Sequence, residues 1–341
     1  MKLSNRDRRS WRFFLWLSLG SALISAYYGF RVGEIEGTPL TGIATGIASS
    51  LAIATPIMLF EMWGQRTRLV RRLRRLPLAM YFGIRVFFYV VVIVTGLAVA
   101  RLLVGALPLA FDDVFERSFI FAVALVVLTN IAIEIGYLLG FGTLKNLLTG
   151  RYVRPRREDR VFLLIDMKNS TGVAERLGPI RFHELLNAFF DDVSDAALEC
   201  EAEIHKYVGD EAILTWPTER AGRDSEVLAC PFVARDLIAA GAARYQQRFG
   251  VAPEFRAALH CGEIVAGQIG DLRREIAYVG DTLNVAARLL ETAKEVGRDV
   301  LVSMDLLQRA TLPHGVVAEP LPTVVMRGRA APLGVAALSR A

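Results

Sequence analysis

Two aspartates stand where a carboxylate is of most chemical use. Asp166 closes the apolar run "RVFLLIDM" (160–167), and Asp210 sits inside "IHKYVGDEAILTW" (204–216), which otherwise reads as a buried hairpin. Ile204, Tyr207, Val208, Ala212, Ile213, Leu214 and Trp216 belong in a core, whereas Lys206 and Asp210 do not. Taken singly, each aspartate has an ordinary explanation: a cap at a strand end for Asp166, a turn residue for Asp210. Brought to one place, two carboxylates repel unless a cation joins them. Carboxylate ligation with room for waters and phosphates suits Mg²⁺.

The elements that must position these residues follow from the hydrophobic pattern. "RVFLLIDM" is a short apolar run that reads as a buried strand. "KNST" follows it, with Ser170 or Thr171 as a helix cap. The N–H groups of Lys168, Asn169, Ser170 and Thr171 lead into that helix start, where a phosphate is welcome. Phe182, Leu185, Leu186, Phe189, Val193, Ala197 and Cys200 recur at helical spacing, which predicts a helix over about 179–201 with Pro179 near its first turn. Strands at about 203–208 and 211–216 are joined by Gly209-Asp210, a Gly-X two-residue turn. A helix at about 223–248, the strands "EFRAALHC" and "REIAYVG", a helix "DTLNVAARLLETAKEV" capped by Asp281 and a strand "DVLVS" complete the series. The order β-α-β-β-α-β plus additions is the split βαβ pattern of ferredoxin-like folds. In such a sheet the first strand neighbours the hairpin, so Asp166 and Asp210 face each other at one edge. That arrangement predicts a two-metal site acting on a nucleoside triphosphate.

The first part of the chain has a different character. The 341 residues are 53% hydrophobic with a mean hydropathy of +0.37, and the excess lies before Arg151. A bilayer core needs roughly 20 apolar helical residues to cross. Stretches at about 12–31, 40–61, 79–105 and 117–141 qualify. "MKLSNRDRRSWR", "RTRLVRRLRRLP" and "LKNLLTGRYVRPRREDR" are basic, whereas "RVGEIEGTPL" and "LPLAFDDVFERS" are short and partly acidic. Basic loops stay in the cytoplasm. The expected organisation is therefore a four-helix transmembrane domain over 1–141 with both ends cytoplasmic, a basic linker over 142–159, and a soluble domain over 160–341. The localisation is the inner (plasma) membrane, multi-pass. The net charge of +5 then reflects topology, and no nucleic-acid partner is needed to explain it. The first apolar run is longer than a signal-peptide core and is kept as an anchor. Arg101 lies near the outer end of its span and can snorkel, while Arg85 and Glu134 lie at similar depth and are expected to pair. Neither a polar cluster of substrate size nor a pair of broken helices marks a transporter. Cys200, Cys230 and Cys261 show no CxxC spacing and read as free thiols of a reducing compartment.

Taken together, "FLLIDMKNSTGVAERLG", "IHKYVGDEAILTW", "FRAALHCGEIVAGQIG" and "YVGDTLNVAARL" resemble, in order, the catalytic domain of class III nucleotidyl cyclases, the adenylyl and guanylyl cyclases. The resemblance covers about 160–338, and the fused four-span region also looks like bacterial members. It implies an α-helical transmembrane domain joined to an α+β, ferredoxin-like (split βαβ) cyclase domain. By the same resemblance, Asp166 and Asp210 match the metal aspartates, with the Met167 carbonyl as a further ligand, for two Mg²⁺ or Mn²⁺ ions per site. Lys206 matches the residue that contacts adenine. Asn284 and Arg288, at i and i+4 on one helix face, match the pair that positions the ribose and stabilises the transition state. Arg256 matches a phosphate-contacting arginine. Arg327 stands where the family often has a phosphate-binding Lys, which keeps the charge and changes the geometry.

One position departs from the pattern. Ala277 stands where adenylyl cyclases usually carry the Asp or Thr that accepts the adenine N6 proton. Guanylyl cyclases usually carry an acid where Lys206 stands, so ATP remains the expected substrate, with base selection weaker or supplied by backbone. The resemblance implies a homodimer in which metal carboxylates from one chain meet Lys, Asn and Arg of the other, producing cyclic AMP and pyrophosphate. Two other readings stay open: a catalytically weak or relaxed-specificity cyclase, and a silent nucleotide-binding module relaying a signal from an unknown ligand or partner of the membrane domain. "VGDEA" also echoes the GGDEF signature of diguanylate cyclases, but it lacks the Phe, and "NVAAR" has no place in that family.

Overall fold

A computed structural model of the chain describes residues 5–35, 37–62, 73, 76–103, 112–139, 149–271, 275–324 and 332–341. The chain divides into two compact units, one holding Asp7–Leu138 and the other Leu139–Ala341.

The first unit is built of four long helices among the described residues: α1 (Asn5–Ile35), α2 (Pro39–Met62), α3 (Leu78–Leu103) and α4 (Asp113–Leu139). Within α2 and α3, Pro39–Glu61 and Gly83–Leu103 are long and apolar enough to cross a membrane. Large apolar side chains such as Trp16, Leu23, Phe87 and Leu128 are exposed around the helices, as expected of surfaces facing hydrocarbon. Two GxxxG repeats, Gly29/Gly33 on α1 and Gly42/Gly46 on α2, bring these helices into backbone contact. A Cβ added at Gly29 would run into the Gly42 carbonyl, and one at Gly46 into the Ser25 carbonyl. Small residues at this spacing are how helices pack closely without a hydrophobic drive. A further cluster of Ile53, Ile57, Ile93, Leu97, Phe115 and Ala122 joins α2, α3 and α4.

Two arginines of α3 are paired. Arg85 bonds the nearly buried Glu61 at 2.8 Å, and Tyr89 donates to the same carboxylate. Glu61, at the end of its span, is thus a partner that the reading of the spans passed over; the side chain of Glu134 lies outside the described residues. Arg101 bonds Asp112 at 2.5 Å.

The second unit is a sheet with helices on both faces. Its strands are β1 (Arg156–Met167), β2 (Glu203–Val208), β3 (Glu211–Pro217), β4 (Phe255–Ile269), β5 (Glu275–Val279), β6 (Val300–Ser303), β7 (Val316–Val324) and β8 (Leu333–Arg340). They run in the order β2-β3-β1-β4-β6-β8-β7, with β5 on β4, so the first four positions are those of a split βαβ sheet. The helices are α5 (Ser170–Leu177), α6 (Pro179–Glu199), α7 (Glu219–Arg223), α8 (Glu226–Ala240), α9 (Ala242–Phe249), α10 (Asp281–Glu295) and the single turn α11 (Met304–Leu307).

The central strand β1 is buried on both faces. Val161, Leu163 and Ile165 enter a core with Leu185, Phe189 and Val193 of α6 and Leu228 of α8. Phe162 and Leu164 enter a second core beneath Val285, Ala286, Leu289 and Ala293 of α10. This alternation is the period-two pleat filled from both sides.

Three local expectations need correction. The cap before α5 is Asn169, in the left-handed region at φ 53°, rather than Ser170 or Thr171. The residue before α10 is Gly280, and Asp281 is the first helical residue. The helix expected over 223–248 begins only at Glu226, because Asp224 is extended, and divides at Gly241 into α8 and α9.

Candidate active site

The sheet register brings the charged residues together. On β1, Asp166 lies opposite Glu211 of β3 and opposite Arg256 of β4. Asp210 immediately precedes Glu211, in the turn that joins β2 to β3. Gly209 takes φ 62° there, and only the first turn position is positive, as a Gly-X hairpin requires. Asp210 thus approaches Asp166 from the hairpin tip, and its charge is felt there.

The electrostatics record this crowding. Burial, then the charge of Asp210, raises the Asp166 carboxyl to about 6, while Arg256 and Lys294 pull the other way. Glu211 rises to about 7, first from burial and then from Asp166 and Asp210. Glu211 was not singled out in the sequence, although it directly follows Asp210 in "GDEA". Among the described residues no three of His, Cys, Asp and Glu converge on one point. Asp166 and Asp210 would offer a cation two carboxylates, with carbonyls, water and phosphate completing its shell. That donor set fits Mg²⁺ or Mn²⁺, which bind oxygen and keep several exchangeable positions.

Arg256 supplies a second test of fit. Its Nε is buried and has no hydrogen-bond partner among the described residues. A buried charged donor without an acceptor is costly, and an anion placed beside Asp166 would supply the acceptor.

The segment after β1 divides. The Met167 side chain is buried. The Lys168 N–H donates to the Glu254 carbonyl at 2.8 Å, and its Nζ bonds Asp299 at 2.5 Å and Glu254 at 3.3 Å. Lys168 is thus tied to the loops before β4 and β6. Asn169, Ser170 and Thr171 remain at the start of α5, with Asn169 and Thr171 exposed.

Lys206 is exposed on the edge strand β2 and lies opposite Ile213, whose side chain is in the core beneath α10. At a bulge between Ile204 and Lys206, His205 packs against Tyr278 with ring centroids 4.5 Å apart and planes tilted by 39°. Tyr278 also lies under the buried Arg160 guanidinium at 5.1 Å, and Arg160 bonds Glu203 at 2.5 Å. His205, Tyr278 and Arg160 thereby tie the β2 segment carrying Lys206 to the β5 segment carrying Ala277. Sequence reasoning missed this cluster; the aromatic next to Ala277 and the His next to Lys206 were its signals. Ala277 itself is half-buried, opposite Gly267.

On α10, Asn284 is exposed and Arg288 half-buried, one turn apart on the side away from Val285, Ala286 and Leu289. The Thr282 hydroxyl fixes the start of this helix by donating to the Glu263 carbonyl at 2.8 Å. Lys294, whose charge is felt at Asp166, lies ten residues beyond Asn284, about 15 Å at 1.5 Å per residue. Asp166 is therefore near the opposite end of α10 from Asn284. Arg327 lies outside the described residues.

Comparison with known proteins agrees with this architecture. A family model described as "Adenylate and Guanylate cyclase catalytic domain" matches residues 153–333. "Adenylate cyclase 2" of Rhizobium meliloti (strain 1021) is 37% identical over 300 residues, covering 86% of this chain and 83% of that protein. "Adenylate cyclase 1" of the same strain is 27% identical over 184 residues, 52% of this chain and 27% of that one. A solved bacterial light-regulated adenylyl cyclase shares the fold with a TM-score of 0.53 at 13% identity, covering 64% of each chain. The extent of the family match and the near full-length similarity to the first relative lead to one assignment: the chain belongs to the class III nucleotidyl cyclases, the family of adenylate and guanylate cyclase catalytic domains.

Proposed function

We propose that the chain is a membrane-bound adenylyl cyclase that converts ATP to 3′,5′-cyclic AMP and pyrophosphate at two composite sites of a homodimer. The observation that carries the reading is the meeting of Asp166 and Asp210 beside the unpartnered Arg256 Nε: an anionic pair suited to a cation, next to a cationic donor suited to a phosphate. Asp166 and Asp210 would hold Mg²⁺ or Mn²⁺, with the Met167 carbonyl as a further donor. Bound there, the cations supply acidification of the ribose 3′-OH and neutralisation of the triphosphate. Arg256 donates to phosphate oxygens as negative charge grows. The free N–H groups at the start of α5, from Asn169 to Thr171, receive another phosphate. Asn284 orients the ribose, and Arg288 and Arg327 balance charge on the transferring phosphoryl group. Lys206 reads the adenine ring, in a pocket whose opposite wall includes Ala277.

The distance along α10 favours completion of each site by a second copy, since Asn284 lies far from its own Asp166. Exposed apolar residues on β2 and β5, namely Tyr207, Val208 and Val279, offer the surface for it. ATP is favoured by Lys206 and by the adenylate cyclase activity in the name of the relative matched over most of the chain. The four long helices and the basic loops support a four-span anchor over 1–141, a linker over 142–159 and a cytoplasmic catalytic domain over 160–341.

The test is direct. Purified full chain with ATP and Mg²⁺ or Mn²⁺ is expected to form cyclic AMP, and to form cyclic GMP from GTP far more slowly. A folded dimeric preparation that makes neither product would leave a silent nucleotide-binding module as the reading. A preference for GTP would overturn the role given to Lys206.

A further inference from the structure

The helical unit encloses a cavity of about 350 Å³ among α1, α2 and α4, reached also by Leu97 and Arg101 of α3. That is the scale of a small-molecule pocket. It runs beside α2 from Thr41 to Glu61, about 30 Å at 1.5 Å per residue. Its lining combines apolar side chains such as Val32, Ile53 and Phe115 with hydroxyls from α1 and α2.

Most polar groups along it are already engaged. Glu61 is bonded by Arg85, and Arg101 by Asp112. Ser21 and Ser50 bond each other at 2.9 Å. The Thr41 and Thr45 hydroxyls donate to the Thr38 and Thr41 carbonyls, each at 2.8 Å. Tyr28 differs. Its hydroxyl oxygen is buried and has no hydrogen-bond partner among the described residues, and the residue lines the cavity. Its ring is held by stacking on Phe121 of α4, with centroids 4.0 Å apart and planes 5° from parallel. Buried hydroxyls in native proteins nearly always find a partner, and in this wall an occupant of the cavity is the available source of an acceptor.

We propose that the cavity is a binding site for a neutral, membrane-soluble molecule with an apolar body and a carbonyl or ether oxygen that accepts the Tyr28 hydrogen bond. Neutrality follows from the lining, where the ionised side chains are already paired with one another. The apolar body follows from the aliphatic and aromatic walls, and the acceptor from Tyr28. The site is separate from the cyclase chemistry and does not depend on it.

The test uses the full chain in phosphatidylcholine nanodiscs and a diazirine-bearing analogue of 2-dodecanone as photolabel. Labelling is expected to saturate and to fall on peptides of α1, α2 or α4. Unlabelled 2-dodecanone should compete about tenfold better than dodecane at equal membrane mole fraction. Tyr28→Phe keeps the ring stack and removes the donor, so it should reduce the ketone's advantage to about twofold or less. The proposal is overturned if labelling rises linearly and spreads over lipid-facing positions such as Leu23, Phe87 and Leu128. It is equally overturned if ketone and alkane compete alike on the wild-type protein, or if Tyr28→Phe leaves the ketone's advantage intact. Should Tyr28→Phe fail to assemble, the ketone-to-alkane ratio on wild type decides alone.

Discussion

Single side chains in this protein carry charge where the fold makes charge expensive, and each one has a measurable signature. His205 packs against Tyr278 beside Lys206 and Arg160. Burial first, then the neighbouring charges of Lys206 and Arg160, lowers its pKa to about 4, against about 6.5 in an unfolded chain. The folded form therefore resists a proton that the unfolded form accepts. Above pH 6.5 neither state is protonated and the full stability is present; as pH falls from 6.5 toward 4, stability is lost. Allowing for partial exposure of the ring, about 1–2 kcal/mol is at stake. Thermal melts of wild type and His205→Phe, which keeps an aromatic ring against Tyr278, should diverge below pH 6.5, with the variant losing less. Parallel curves would mean that His205 titrates normally in the fold. Ala277 tests base choice in the proposed adenylyl cyclase. Ala277→Asp or Ala277→Thr offers the adenine N6 group an acceptor and should raise ATP-over-GTP discrimination by about 1–2 kcal/mol, the scale of one hydrogen bond. Competition between the two nucleotides measures it, and an unchanged ratio would show that backbone already reads N6.

Helices and strands set these residues in place, and their legibility in sequence was uneven. The split βαβ order was readable because β1 is a continuous apolar run, Gly209-Asp210 marks the hairpin turn and α6 repeats at helical spacing. The same reading placed Asp166 near Asp210 through strand adjacency alone. It could not see Glu211 as a third interacting carboxyl, because that depends on the β1–β3 register. Nor could it see that the Lys168 N–H is taken by the Glu254 carbonyl, a contact between distant loops. The helix expected at 223–248 differs for a local reason: Asp224 is extended, so the helix starts only at Glu226. In the helical unit, hydropathy marked the long helices but was blind to how they pack. The two GxxxG repeats carry that information. Gly29→Leu should drive a side chain into the Gly42 carbonyl, at an overpacking cost of about 1–3 kcal/mol. At Gly20 on the same helix an added Cβ meets nothing within 4 Å, so Gly20→Ala should cause no loss of stability. Thermal midpoints of the full chain in detergent compare the two, and equal effects would remove the α1–α2 contact as a determinant of stability.

For the whole molecule, the proposed shared site makes a prediction that no single variant can. Asp210→Ala and Arg288→Ala homodimers should each be nearly inactive, since every site lacks one part. Mixed dimers concentrate both defects in one site and leave the other sound. With random pairing, half the dimers are mixed and half of their sites work, so about a quarter of wild-type activity should return. Activity of co-expressed, differentially tagged subunits reads this out, and no recovery in confirmed mixed dimers would place each site within one chain. The strand order has a consequence of another kind, for synthesis. β1 is the first strand of its unit, yet it lies between β3 and β4, so neither neighbour exists when it is made. Its last partner ends at Ile269, and about a hundred residues at 5–20 per second separate the two. For roughly 5–20 s the run "VFLLI" lacks its β4 neighbour and keeps at least one open, apolar edge. Closing this ladder spans long sequence separations, which slows folding, so a nascent chain stalled before β4 exposes the most aggregation-prone segment of the catalytic unit.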